Sequence, residues 1–382
     1  MLYLTDGGEF GILRSAIGFF LPAALYGKAF GLATLPIAVY VWTAIGCVLF
    51  LMLLPLSKKS LARQLLALLV IIAFSGMDFL GGLIATQSLP IFPLRLEWWV
   101  PLSYPSMTGH LTWAPNHCLP AWLGTALLIR HRHDPEQLTD WMIVTLPLTL
   151  IWSPFAIVGL LPLAIVISWR LLLKRAFWKT HYGALLAASL IALTVTAFLL
   201  IDGTQNIALS STLTTRGGGI AHQSVAISDI ALFILLEFGL LGLCLVGAID
   251  TDRPLFLGAI GVLLALPLLH LGPSNDLLIR SSAPALVVLL VCTLSCLGLL
   301  VDKQNVAPQQ TGRKLIISAL LLLGAVTPAH EFSRALLRPA QAPSYERTLA
   351  STQAGHFPAH YVGNFPRTLG PFLFRSSLPA RP

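Results

Sequence analysis

The chain has 382 residues, of which 56% are hydrophobic and only 10% charged, and its mean hydropathy is +0.80. An average soluble domain carries about 25% charged residues. The net charge of +8 would suggest a nucleic-acid partner in a soluble protein. Here the basic residues instead sit in short clusters between apolar runs of about 20 residues, the length a helix needs to cross a bilayer. Composition thus excludes a soluble enzyme and a nucleic-acid-binding module. The lack of period-two alternation excludes an outer-membrane barrel. What remains is an all-α, polytopic transmembrane helical bundle.

The chain opens on Leu4, Thr5, Asp6, Gly7, Gly8 and Glu9 rather than a basic stretch followed by an apolar one, so no signal peptide is expected. An amphipathic or re-entrant segment at 15–31, interrupted by Pro22 and Gly27, leads into about ten predicted spans. These lie near 32–54, 64–85, 116–130, 139–151, 155–173, 181–201, 225–249, 254–272, 280–301 and 314–330. Trp152, Ser153 and Pro154 divide 139–173 into a hairpin of two short helices, because proline disfavours helix at the residue before it. The loop 86–116 carries Leu94, Leu96, Trp98, Trp99 and Val100, too much apolar surface to leave in water, and is expected to fold back on the membrane with part of it helical. Residues 1–330 form the membrane domain, and 331–382, rich in Pro, Ser, Ala and Arg, form a short C-terminal extracytoplasmic tail. No tandem repeat is evident.

Alternate loops carry the basic residues: Lys58, Lys59 and Arg63; Arg130 and Arg132; Arg170, Lys174, Arg175 and Lys179; Arg253; Lys303, Arg313 and Lys314. That side is assigned to the cytoplasm of a bacterial plasma (inner) membrane, which puts both termini outside. The tail arginines, starting with Arg334, then lie on the outer side, where distant tails count little in this rule. Cys47, Cys244, Cys292 and Cys296 fall in apolar runs and Cys118 near a loop, a pattern of neither a disulfide framework nor a zinc site.

The polar residues of chemical interest gather on the predicted outer side. The loop 86–116 holds Glu97, Trp98, Trp99, His110 and His117 close to its end, a density of acidic, aromatic and imidazole groups that a plain connector does not need. An interfacial aromatic belt is the other reading of the tryptophans. Asn275, Asp276 and Arg280 stand where an outer loop enters a span, and Arg280 there either snorkels to water or offers its fork of donors to a phosphate. Arg216 precedes a glycine run, Gly217 to Gly219, that permits close backbone approach to a ligand. Asp78, Asp229 and Glu237 lie inside predicted spans, where an acid points into a polar cavity or hydrogen-bonds to a neighbouring helix. Asp6 and Glu9 flank two glycines and can supply a carboxylate base. With no P-loop, dinucleotide fingerprint or metal-ligand spacing, no cofactor or metal follows from the sequence.

The stretches Phe19 to Gly31, Phe74 to Leu80, Leu96 to Trp122 and Asn275 to Pro284 resemble a group of poorly characterised bacterial multi-pass membrane proteins, itself similar in layout to the C-type, lipid-phosphate-sugar-dependent glycosyltransferases. The resemblance implies transfer of a sugar from a polyprenyl-phosphate donor to a cell-envelope acceptor on the outer face. Asp6 or Glu9 would then be the catalytic base, and Arg280 with Arg216 would hold the departing phosphate. Trp98 and Trp99 would stack on sugar faces, while Glu97, His110 and His117 orient hydroxyls. Those transferases carry their acidic motif in an outer loop that follows a first span, whereas no span precedes Asp6 here: either the chain begins late relative to that family or the short acidic segment is what remains of that loop. The alternatives are a transporter or flippase of a lipid-linked saccharide, with Asp78, Asp229 and Glu237 lining its path, and a non-catalytic envelope assembly protein. Membrane lipids are partners in every reading.

Overall fold

The structure is a computed structural model that describes residues 2–4, 10–13, 16–56, 60–88, 96–200, 210–212, 225–246, 253–271, 275–300, 311–337 and 362–365. Its helices run in chain order α1 Leu21–Phe30, α2 Leu35–Leu53, α3 Leu61–Ala73, α4 Asp78–Thr86, α5 Met107–Trp113, α6 Pro115–Arg130, α7 Pro135–Trp152 and α8 Pro154–Leu172. They continue as α9 Arg175–Leu200, α10 Ile227–Ile234, α11 Leu240–Val246, α12 Arg253–Ala265, α13 Asp276–Ser281, α14 Ala283–Cys296, α15 Thr311–Gly324 and α16 Val326–Leu337. Among the described residues five short strands accompany them: β1 Leu2–Leu4, β2 Phe10–Leu13, β3 Ser210–Ser211, β4 Leu269–His270 and β5 Val362–Phe365.

Among the described residues, seven helical stretches are long and apolar enough to cross a membrane, which makes the chain a multi-pass membrane protein. Three further predicted spans, at α6, α7 and α12, are helical but fall short of that length or apolarity. The break at Ser153 is where the sequence puts it. Ser153 caps α8 by accepting from Ala156 N at 3.1 Å, and Pro154 occupies the first helical position, where its missing N–H costs nothing. The two helices it separates are 18 and 19 residues long; the first starts earlier than the predicted 139–151, and the second matches 155–173.

Several expectations need correction. The segment 15–31 does form a helix, but Pro22 sits harmlessly in its first turn and Gly27 packs inside it against Leu35; the chain turns at Gly31, whose φ of +98° suits only glycine. The predicted span 64–85 is not continuous, since residues 74–77 leave the helix between α3 and α4. The last span continues to Leu337, so the first residues assigned to a tail are helical. The body of the fold is all-helical, as expected; beside it β1, β2 and β5 make a small antiparallel sheet in which the N-terminal hairpin pairs with a strand from the C-terminal tail. The loop 96–113 goes further than a surface fold. Tyr104 donates from its hydroxyl to Leu263 O of α12 at 2.6 Å and Thr108 to Ile72 O of α3 at 2.8 Å, so the loop is threaded between spans rather than laid on them.

The helix α14 is the axis of the bundle and packs against α6, α8 and α12, whereas α9 lies at the rim with its apolar surface outward. Lipid tails are as apolar as leucine, so burying leucine against leucine gains little in a bilayer, and close backbone approach at small residues takes over. Ala121, Ala156 and Ala283 meet where α6, α8 and α14 converge, with Gly124 against Leu160 and Gly159 against Ser281 and Pro284 beside them. This tight packing fixes α13, and with it Arg280, relative to α8.

Candidate functional site

Two buried polar clusters form at the end of the bundle that carries the 96–113 loop, and they divide the predicted site residues between them. The first is built around Arg280. Asp276, one helical turn earlier on α13, is ion-paired to it at 3.0 Å, as the four-residue spacing requires. The guanidinium carbon stands 5.4 Å from the ring centre of Phe155 on α8, a cation–π distance, and the other neighbour of that ring is His117 of α6, edge-on at 5.9 Å. His117 Nδ1 is 2.7 Å from Ser153 Oγ. His110 Nε2 lies 2.9 Å from Ile279 O, and since a carbonyl only accepts, that nitrogen carries the proton. Burial holds the His110 imidazole down to about 4, so it is neutral at physiological pH. Nothing in the sequence pattern singled out Phe155. Its place next to Ser153 and Pro154 in the helix break was the available signal.

Asn275 belongs to this neighbourhood but not as a free ligand. Its φ is +51°, its Oδ1 accepts from Leu271 N and Leu278 N, and its Nδ2 donates to Leu269 O at 2.9 Å. The side chain is spent on capping α13 and tying it to β4.

The second cluster gathers two acids and a threonine from three interrupted spans. Asp78 opens α4 just after the unwound residues 74–77, and its Oδ2 accepts from Ser75 Oγ and Thr327 Oγ1, both at 3.0 Å. Glu237 sits in a π-helical turn, Leu235–Gly239, between α10 and α11, and its Oε1 accepts from the Trp99 indole at 3.2 Å. Thr327 follows the one-residue gap between α15 and α16, where Pro328 has no N–H to offer Gly324 O. The freed backbone groups find partners across the interface: Met107 N donates to Phe74 O at 3.0 Å, and Met77 N to Leu236 O at 3.2 Å. A cavity of about 10 Å³, room for a single water, adjoins Glu237, Ser75 and Tyr104. The sequence marked Asp78 and Glu237 separately and missed Ser75 and Thr327; the glycines at 76 and 324 and the proline at 328 were the traces of this site. Asp229, placed with these acids by sequence, lies instead in the first turn of α10.

Glu97 joins the acids rather than the histidines. It is buried, and its Oε1 accepts from Ser106 N at 2.9 Å and Ser106 Oγ at 2.7 Å. Burial, with the Asp78 carboxyl nearby, pushes Glu97 up to about 7 in spite of those bonds. The predicted grouping of Glu97 with His110 and His117 therefore separates. So does the tryptophan pair: Trp98 stacks on Trp113, ring centres 6.4 Å apart, while Trp99 packs on Gly81 and bonds to Glu237, so the two do not make one platform for a sugar. Asp6, Glu9 and Arg216 lie outside the described residues; Asp6 and Glu9 fall in the connection between β1 and β2.

Because the folded-state value of Glu97 lies above its free value of 4.5, the folded protein holds the extra proton between the two. That contribution to stability is fully present below about pH 4.5 and is lost as pH rises through 7. A shift of that size corresponds to roughly 3 kcal/mol at most. Glu97→Gln is expected to melt with the parent protein below pH 4.5 and several degrees above it at pH 8. Parallel melting profiles would show that Glu97 carries no such charge cost.

At the opposite end of the bundle a cavity of about 670 Å³ is lined by Arg132, Arg170, Lys174 and Trp169 together with Asp134 and Glu136. No group of His, Cys, Asp and Glu side chains among the described residues is arranged to hold a metal ion. The fold and its two polar clusters define a multi-pass integral membrane protein with buried ionisable groups at helix interruptions. Comparison with protein-family models, with curated proteins and with solved structures gave no match.

Proposed function

We propose that the protein binds the phosphate of a polyprenyl-phosphate-linked sugar at the outer face of a bacterial inner membrane and transfers the sugar to an envelope acceptor. The observation that carries this reading is the oriented guanidinium. Asp276 fixes one edge of Arg280, Phe155 supports its face, and the side chain remains partly exposed, at 20%. An arginine held in this way presents paired donors to a phosphate at little further ordering cost. In the reaction, the acceptor oxygen forms a bond to the anomeric carbon as the carbon–oxygen bond to the phosphate breaks. The acceptor proton passes to a carboxylate, the role assigned to Asp6 or Glu9. The phosphate leaves with the bonding electron pair, and its charge is met by Arg280.

The pairing of β2 with β5 supports the membrane topology, because strands hydrogen-bonded to each other share one side of the bilayer and so require an even number of crossings between them. Seven spans alone would give an odd number, and the ten sequence-predicted spans give an even one. The charge rule, not the pairing, assigns that shared side to the outside, together with Arg280.

In purified protein supplied with polyprenyl-phosphate sugar, Arg280→Ala is expected to lower transfer by about 100-fold. Arg280→Lys should be impaired too, since lysine keeps the charge and loses the fork. Full transfer by the alanine variant at normal abundance would leave Arg280 as an interfacial anchor. The acid cluster favours a second reading, transport of the lipid-linked saccharide across the membrane coupled to a proton. Retained flipping in vesicles alongside absent transfer would select it.

A further inference from the structure

We propose that Asp78 and Glu237 form a proton-binding site in which the two carboxyl groups share one proton, at the point where three interrupted spans meet. The site goes beyond the sugar-transfer reading and stands or falls independently of it.

Four observations converge on a proton as the ligand. First, the two carboxyls are within hydrogen-bonding reach of each other. Ionised carboxylate oxygens only accept, so such an approach requires a hydrogen between them. Second, the remaining partners are all neutral: the Ser75 and Thr327 hydroxyls on Asp78 Oδ2, and the Trp99 indole on Glu237 Oε1. Asp78 Oδ1 and Glu237 Oε2 are buried and accept from no other donor. No described lysine or arginine is ion-paired with either group, so the positive charge that would let both stay ionised is not supplied by a described side chain.

Third, the backbone is arranged to bring the acids together. A Cβ on Gly76 would clash with Glu237 Oε2, and one on Gly324 would come within 2.6 Å of Ser75 O. Fourth, Glu237 stands in a π turn, where Leu240 N reaches back five residues to Leu235 O while Leu236 O accepts from Met77 N of the other span. The carboxyl is thus attached to a backbone with a second available register, the α-helical one, and the one-water cavity beside it gives a proton a place to arrive. Release of the proton would leave two negative charges side by side, and a return to α-helical register would separate them.

The other titratable groups around the pair do not offer a substitute. Glu97 faces it as a third buried acid, Tyr104 donates its hydroxyl to Leu263 O, and on α16 Glu331 is paired with Arg334. His330, also on α16, stands beside Glu331 and Arg334.

The test is infrared spectroscopy of the protein in lipid nanodiscs, with the Glu97→Gln variant as the parent so that Glu97 contributes no band. At neutral pH one protonated-carboxyl carbonyl stretch, shifted in heavy water, is expected. It should be lost in Asp78→Asn and in Glu237→Gln, each of which lets the remaining acid ionise against an amide donor. Thr327→Val, which removes one donor and keeps both acids, should shift the band without abolishing it, and this variant decides the matter if the acid substitutions fail to fold. A spectrum without such a band, a band indifferent to both acid substitutions and to Thr327→Val, or a band removed by sodium at constant pH would each overturn the proposal. Sugar transfer plays no part in the readout, so loss of the transferase reading leaves this result intact.

Discussion

Gly76→Ala is expected to destabilise the bundle strongly. The added Cβ would clash with Glu237 Oε2, approach Glu237 Cδ to 2.7 Å and reach within 2.9 Å of Glu237 Cα. The carboxyl can swing away, but the α-carbon belongs to the π turn and moves only with the span. Gly76 also lies in the segment whose neighbour, Met77, donates to Leu236 O, so separating the backbones breaks that bond and exposes polar groups where water is scarce. The combined cost is on the order of 3 kcal/mol or more. It should appear as loss of monodisperse protein after extraction or as a melting temperature lowered by about 10 °C. Glu237→Ala in the same chain removes the clash with the carboxyl but leaves the clash with the backbone, so it should restore stability only in part. Normal stability of the single Gly76→Ala variant would show that the two spans are not held this closely.

Gly159→Ala is the second substitution with a large expected effect, and its consequence falls on the other cluster. A Cβ there would collide with the carbonyl oxygen of Ser281 and come within 2.8 Å of the Pro284 ring. Both neighbours are rigid, one being backbone and the other a proline at the start of α14. The helix α13 would have to move, carrying Arg280 away from Phe155. The variant should lose about 2 kcal/mol of stability and bind polyprenyl phosphate more weakly, with the Arg280→Ala protein as the reference for complete loss of that interaction. Gly183→Ala on the exposed helix α9 is the control, since nothing lies within 4 Å of its Cβ position. It should be neutral or gain up to about 1 kcal/mol from helix propensity. Equal behaviour of the two variants would mean that close packing at Gly159 does not position Arg280.

The contrast between these glycines marks where the sequence stops being legible. A glycine in an apolar helix looks the same whether it faces lipid, as Gly183 does, or another backbone, as Gly159 does. The Asp276–Arg280 pair was readable because helical geometry alone brings residues four apart onto one face. The break before Pro154 was readable for the same reason, being a local consequence of proline's missing N–H and fixed φ. The interruption at residues 74–77 was not, because Phe74, Ser75, Gly76 and Met77 contain no proline and sit inside an apolar run. The unwound segment persists because Met107 N and Leu236 O, from distant parts of the chain, satisfy its backbone.

By itself the sequence determined the solvent, the multi-pass helical class, the approximate place of each helix and the local pairing at Arg280. Hydrophobicity over about 20 residues and interactions within one turn are properties of a segment alone. Only the tertiary structure decided that Glu97 and Trp99 join Asp78 and Glu237, that His110 and His117 stay with Arg280 and Phe155, and that Asn275 is a cap. The physical reason is that spans apolar on every side carry no hydrophobic stripe to say which face turns inward. The choice falls to small-residue packing and a few hydrogen bonds between helices, which exist only once the helices have met.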